Sequence, residues 1–85
     1  LLLAAALLAA PFARADGARP PPPDFYLQEC AACHAPYPAR RLGATAWQRI
    51  VDGLPRHFGT DASLDAATTA RLRDYLVANA SRKAP

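Results

Sequence analysis

Large apolar side chains are scarce in most of this 85-residue chain. Residues 1–15 are almost wholly Leu and Ala, and they hold 13 of the 44 apolar residues. Of the 31 apolar residues that remain in residues 16–85, 14 are Ala and only 11 are Leu, Ile, Val or Phe. This length allows one small domain, and a domain with so little bulk usually needs a disulfide, a metal or a cofactor to complete its core. We therefore expect such an added element in residues 16–85.

Residues 1–15 are typical of the end of a secretory signal peptide. The apolar run ends at Phe12 and is followed by Ala13-Arg14-Ala15, a small-x-small cleavage sequence. A membrane span needs about 20 apolar residues, so this run is too short for one. We expect cleavage after Ala15 and export to a bacterial periplasm, with a truncated membrane anchor as the alternative. Because the chain lacks both Met and a basic leading segment, the signal peptide is expected to be truncated at its N-terminus.

The two cysteines form the most specific motif in the chain. They stand in Cys30-Ala31-Ala32-Cys33-His34, which is the attachment sequence of a c-type haem. Thiols three residues apart can add to the two vinyl groups of one porphyrin, and the following imidazole can bind the iron as proximal ligand. The spacing predicts one covalent haem c, attached through Cys30 and Cys33 and ligated by His34. A bound macrocycle also gives the few large side chains a surface to pack on, so we expect the haem-free chain to be largely unfolded.

Three other interpretations of the cysteine pair remain open. A redox-active dithiol is usually found in a βαβ context, and no strand pattern is present. A disulfide between Cys30 and Cys33 would close an almost local loop and give little entropic gain. A zinc site would need a fourth ligand, for which His57 is the one strong candidate.

The pattern after residue 15 predicts an all-α fold, a small c-type cytochrome domain of about three helices packed on the haem. Residues 16–23 are expected to be a Pro-rich linker, since their four consecutive prolines favour polyproline II. The haem domain is expected over residues 24–85. Its predicted helices cover residues 25–33, 46–54 and 64–80, with three polar residues as their N-caps: Asp24, Thr45 and Ser63.

Apolar periodicity marks the candidate core on the second and third helices. The second helix has four apolar residues at the spacing of one helical face: Trp47, Ile50, Val51 and Leu54. The third helix places six residues on one side: Leu64, Thr68, Leu72, Tyr75, Leu76 and Asn79. Loops are expected between the helices, and a backbone carbonyl in the loop after His34 is expected to accept its imidazole N–H.

The haem motif itself does not indicate the sixth iron ligand of the predicted site. Met is excluded because the chain has none, and His57 is the only histidine besides His34. We expect His57 to bind the iron on the side opposite His34 and to give a low-potential, low-spin centre. An open or water-bound site and ligation by Lys83 or another donor are the alternatives.

Several segments resemble the bacterial dihaem cytochrome c family of the DHC type. The resemblance covers residues 30–80, and its more specific part is His57-Phe58-Gly59-Thr60-Asp61, beside the haem motif common to all c-type cytochromes. It implies thioether attachment at Cys30 and Cys33, His34 as proximal ligand and His57 as distal ligand. It also implies electron transfer, with an oxygen-binding monohaem cytochrome as a partner. Family members carry a second haem motif downstream, whereas this sequence has one, so we expect an N-terminal haem domain of a longer protein.

The expected function is periplasmic electron transfer without enzymatic activity. Expected partners are other redox proteins, such as an oxygen-binding monohaem cytochrome or a membrane cytochrome b. Residues 16–85 have a net charge of only +2, too weak and scattered to suggest nucleic-acid binding. Arg40, Arg41 and Arg56 are either surface charges or contacts for haem propionates. An open-site haem sensor or enzyme, and a haem module of a larger redox enzyme, remain the alternative functions.

Overall fold

The computed structural model describes residues 20–83, which form three α-helices and two short 3₁₀ turns. The helices are α1 (Asp24–Cys30), α2 (Ala44–Asp52) and α3 (Ala66–Ala78). The 3₁₀ turns cover Ala39–Arg41 and Leu54–Arg56. The extended pairing in residues 20–83 is limited to two isolated bridges, so the all-α prediction is confirmed.

The core lies where α2 packs against α3. Trp47 and Val51 on α2 and Leu72 and Leu76 on α3 are all buried, as the helical periodicity predicts. The Trp47 indole Nε1 donates a 2.7 Å hydrogen bond to the Ala39 carbonyl oxygen, so its polar atom is satisfied inside the core. This bond ties the first 3₁₀ turn to α2.

Helix α1 joins this core through Tyr26. Tyr26 is 2% exposed, and its hydroxyl donates to the backbone carbonyl of Tyr37 in the loop beyond the cysteine motif. Its ring lies 5.4 Å from that of Tyr75 on α3, which also packs edge-on against Phe25 at 5.9 Å. The guanidinium of Arg71 lies over the Phe25 ring, 4.0 Å from its centre. The aromatic contacts therefore anchor the short helix that carries Cys30.

The start of α1 differs from the prediction that Asp24 is its N-cap. Pro23 occupies that position with extended dihedrals, and its carbonyl accepts the first hydrogen bonds from Tyr26 and Leu27. Asp24 is the first helical residue, where a carboxylate interacts favourably with the helix dipole. The helix ends at Cys30 rather than at residue 33, so the rest of the motif lies in a turn.

The limits of α2 also differ from the prediction of residues 46–54 with Thr45 as cap. The N-cap is Gly43, which is paired with Ser81 in an isolated parallel bridge. Tertiary pairing therefore sets this helix start. At the other end α2 stops at Asp52, and Leu54 belongs to the following 3₁₀ turn.

Ser63 is not the N-cap of α3. Asp65 takes that role, because its carboxylate accepts hydrogen bonds from the backbone N–H and hydroxyl of Thr68. These bonds lower the pKa of Asp65. Ser63 instead donates both its N–H and its hydroxyl to the Asp61 carboxylate, which forms a local turn before the helix. Helix α3 is correspondingly shorter than predicted, since it also ends at Ala78.

The signal-peptide prediction for residues 1–15 and the first half of the predicted linker, residues 16–19, lie outside the described residues. Within the part that is described, Pro23 has φ −68° and ψ 153°, the dihedrals of polyproline II. None of the helices in residues 20–83 has the length and apolar character needed to cross a bilayer.

Candidate haem site

The cysteine motif begins on the last residue of α1 and continues through a tight turn. Cys30 is partly buried and packs against the core, whereas Cys33 is exposed, and both are free thiols. The backbone N–H of Ala31 still donates to the Leu27 carbonyl, which closes the helix just as the motif starts. Each thiol is therefore held near a helix end, with Cys33 open to solvent.

His34 follows the turn and is exposed. Its Nδ1 lies 2.8 Å from the carbonyl oxygen of Ala35. Because a carbonyl oxygen can only accept, Nδ1 must carry the proton and donate it. The lone pair of Nε2 is then free to bind a metal. The predicted hydrogen bond from His34 to a loop carbonyl is thus present, with Ala35 as the acceptor.

His57 is presented by the second 3₁₀ turn and a tight backbone reversal. It is partly buried and follows directly after Leu54–Arg56. Its N–H donates to the Thr60 carbonyl at 2.8 Å, and the Thr60 N–H donates back to the His57 carbonyl at 2.9 Å. The two intervening residues, Phe58 and Gly59, both have positive φ, which is the pattern of a type I′ turn.

The fold brings His34 and His57 together although 23 positions separate them in the sequence. Their ring centres lie 6.3 Å apart, and the ring planes are inclined by 32°. Two imidazole nitrogens bound at about 2.0 Å on opposite sides of a metal place the ring centres about 6 Å apart. The separation of the two rings therefore fits an iron atom between them.

The other interpretations of the motif find less support. Burial raises the pKa of the Cys30 thiol, with the neighbouring Glu29 as a smaller cause. The attacking cysteine of a redox dithiol instead needs a lowered pKa. Within residues 20–83, no three His, Cys, Asp or Glu side chains group together in a way that could hold a metal ion, as a zinc site would require.

The predicted basic contacts are on the surface. Arg40 and Arg41 lie on the first 3₁₀ turn and Arg56 ends the second, directly before His57, and all three are exposed. Lys83, the alternative iron ligand, is exposed near the C-terminal end of the described residues, where its backbone N–H donates to the Ser81 hydroxyl.

Phe58 is part of the segment that carries the family resemblance, but the sequence alone indicates no role for it. It is 91% exposed, adopts φ 49° and packs edge-on against the His57 ring, with ring centres 4.7 Å apart. Gly59 is the sequence signal for the tight turn that contains Phe58, because a two-residue reversal needs positive φ and Gly adopts it readily.

Taken together, the helical fold, the cysteine motif and the facing imidazoles define a small c-type cytochrome domain. Residues 26–85 match the dihaem cytochrome c family, and the chain belongs to that family. Membership implies c-type haem as the cofactor.

Solved structures of dihaem cytochromes resemble the chain closely. The crystal structure of DHC purified from Rhodobacter sphaeroides is 47% identical, with a TM-score of 0.69 over 71% of this chain and 54% of that one. The diheme cytochrome c of Shewanella baltica OS155 is 44% identical, with a TM-score of 0.67 over 72% of this chain and 50% of that one. The chain thus spans about half the length of these relatives. No match was found among curated proteins.

Proposed function

We propose that this chain is a haem-bearing electron-transfer domain that acts in the bacterial periplasm. Membership of the dihaem cytochrome c family supports haem-based electron transfer. The assignment of the iron ligands rests on one observation, the 6.3 Å separation of the His34 and His57 ring centres. We assign these two imidazoles as the axial ligands of one haem, and the Cys30 and Cys33 thiols as its thioether attachment sites.

The bound haem would supply a single-electron exchange between ferrous and ferric iron. The residues of the chain have separate roles in supporting it. The Ala35 carbonyl keeps His34 in the tautomer whose Nε2 can bind the iron. The reversal between His57 and Thr60 would hold the second imidazole in place to bind the same iron.

Two imidazole ligands favour a low reduction potential, because the chain has no Met thioether to raise it. Occupation of both axial positions also leaves no iron site for a substrate or a gas, which favours an electron carrier over an enzyme or sensor. The proposed partners are other redox proteins, including an oxygen-binding monohaem cytochrome or a membrane cytochrome b. Exposed arginines such as Arg40, Arg41 and Arg56 suit an acidic docking face on such a partner.

The test is the visible spectrum of the reduced holoprotein before and after addition of carbon monoxide. We expect sharp low-spin bands that carbon monoxide leaves unchanged on mixing and alters only slowly, as His57 dissociates from the iron. His57→Ala should convert the iron to a high-spin form that binds carbon monoxide at once. Arg56→Ala is the matched control, since it alters the adjacent exposed residue and leaves both imidazoles in place. A low-spin spectrum that survives His57→Ala would refute the ligand assignment.

If the unmodified protein itself is high-spin and binds carbon monoxide, the iron site is open and a sensor or enzyme role is favoured. Mass spectrometry of the same sample gives the number of haems. One haem per chain of this length agrees with the single Cys-x-x-Cys-His motif.

A further inference from the structure

Phe58 is in an unfavourable state in this structure for two independent reasons. Its φ of 49° lies in the left-handed region, which is unfavourable for a residue with a Cβ. Phe58 is also 91% exposed, twice the 46% of Tyr37, the other exposed large apolar residue in the part of the chain that is described. A plain type I′ turn would favour Asn, Asp or Gly at this position. The turn geometry alone therefore does not explain a phenylalanine.

The surrounding backbone keeps Phe58 in this conformation. Two reciprocal hydrogen bonds between His57 and Thr60 close the reversal, and Gly59 takes its second positive φ, of 83°. The chain then enters the Asp61–Ser63 turn, where the bonds from Ser63 lower the pKa of the Asp61 carboxyl. The fold consequently sets the direction in which the Phe58 side chain leaves the backbone.

The defined contact of the Phe58 ring is with His57. The two ring centres are 4.7 Å apart, and the planes are inclined by 66°, an edge-to-face arrangement. A ring in this position opposes rotation of the imidazole about the bond that joins it to Cβ. His34 has a different restraint, the hydrogen bond from Nδ1 to the Ala35 carbonyl. Each of the two imidazoles thus has its own orienting contact, and their planes are inclined by 32°.

We propose that Phe58 is a positioning residue that fixes the plane of the His57 imidazole and slows its release from the iron. This inference rests on the proposed ligation by His57. It assigns Phe58 no contact with a substrate and no part in electron exchange. If Phe58 fixes the plane of the His57 imidazole, the angle between the two imidazole planes is defined. That angle determines the anisotropy of the low-spin ferric signal in electron paramagnetic resonance.

The experiment uses the holoprotein and compares four variants with it. Phe58→Leu keeps an apolar side chain but removes the aromatic edge, and Phe58→Gly removes the ring and relieves the backbone strain. Phe58→Tyr retains the ring. Tyr37→Leu is the matched control, because it removes the other exposed large apolar side chain of residues 20–83, whose ring packs on Trp47. The readouts are the ferric paramagnetic resonance spectrum and the rate at which carbon monoxide replaces His57 on the reduced iron.

We expect Phe58→Leu and Phe58→Gly to change the anisotropy of the ferric signal and to accelerate replacement about two- to tenfold, the factor associated with one aromatic pair. Phe58→Tyr and Tyr37→Leu should match the unmodified protein. Unchanged spectra and rates in Phe58→Leu, or equal changes in Tyr37→Leu, would overturn the proposal. So would a Phe58→Gly variant that matches the unmodified protein.

The two proposals fail in different ways. If the unmodified holoprotein is high-spin, ligation by His57 is wrong and the role of Phe58 is overturned with it. If the unmodified protein is low-spin and Phe58→Leu leaves its signal and its replacement rate unchanged, ligation by His57 stands and the inference about Phe58 alone is wrong.

Discussion

Between α2 and α3 the domain is held by buried apolar side chains, whereas the turns that carry His34 and His57 are held by hydrogen bonds. Trp47, Val51, Leu72 and Leu76 are each at most 4% exposed at the helix interface. In the site region His34 is exposed, and Phe58 is 91% exposed. The loop after His34 is held by side-chain bonds to the Ala35 and Tyr37 carbonyls, and the His57 turn by reciprocal backbone bonds to Thr60. Apolar burial is the main favourable term in folding, and it is concentrated in one region. The site region therefore depends on its cofactor directly for packing contacts, whereas the helix interface depends on it only through the stability of the whole small domain.

Removal of the haem tests this contrast most severely. Replacing both thiols, as Cys30→Ser with Cys33→Ser, prevents covalent attachment. We expect the resulting chain to lose most of its helical far-UV circular dichroism, because a domain with so little apolar bulk is marginal without an added core element. Any residual amide protection should be confined to α2 and α3. A strongly helical haem-free chain that melts cooperatively would contradict the prediction.

Truncation of a side chain in the helix interface should lower the stability of the holoprotein without altering its haem site. Leu72 is 2% exposed on α3, and Leu72→Ala should destabilise the holoprotein by about 2–5 kcal/mol in urea unfolding. The low-spin spectrum should be unchanged, since the turns that carry the two histidines remain. Ala70→Ser, an exposed change on the same helix, is the control and should have little effect on stability. A high-spin Leu72→Ala protein would mean that the two regions are not separable.

The helices could be predicted from the sequence because apolar periodicity reports burial directly. Trp47 and Val51, one turn apart on α2, are both buried as their spacing predicts. The helix ends could not be predicted, because they depend on competing partners. Ser63 is a good N-cap by residue type, yet its hydroxyl bonds to Asp61, and Asp65 caps α3 instead.

The candidate site also has one part that the sequence predicts and another that depends on tertiary packing. The Cys-x-x-Cys-His motif predicts its chemistry through its own spacing, without tertiary information. Composition offers His57 as a second ligand by elimination, but the 6.3 Å separation from His34 depends on how two distant turns pack. The positive φ of Phe58 could not be predicted, because a bulky residue rarely adopts it and only the closed reversal enforces it.

The smallest predicted effect concerns Tyr26, whose hydrogen bond to the Tyr37 carbonyl connects the core to the loop after the motif. Tyr26→Phe removes this bond and should destabilise the holoprotein by about 1 kcal/mol at neutral pH. Tyr37→Phe is the matched control, since it keeps the accepting backbone carbonyl. Urea unfolding of both variants beside the unmodified protein provides the measurement.

The same residue predicts a pH dependence. Burial raises the pKa of Tyr26 from 10.0 to about 12 in the folded protein. Because the folded pKa lies above the unfolded value, the neutral hydroxyl contributes its full stability below about pH 10 and loses it as the pH rises through about 12. Tyr26→Phe should therefore flatten the alkaline fall in stability, whereas Tyr37→Phe should retain it. If the two variants lose stability in parallel across this range, ionisation of Tyr26 does not cause the alkaline fall. The hydrogen bond from Tyr26 would then couple the helix interface to the site region less than its geometry indicates.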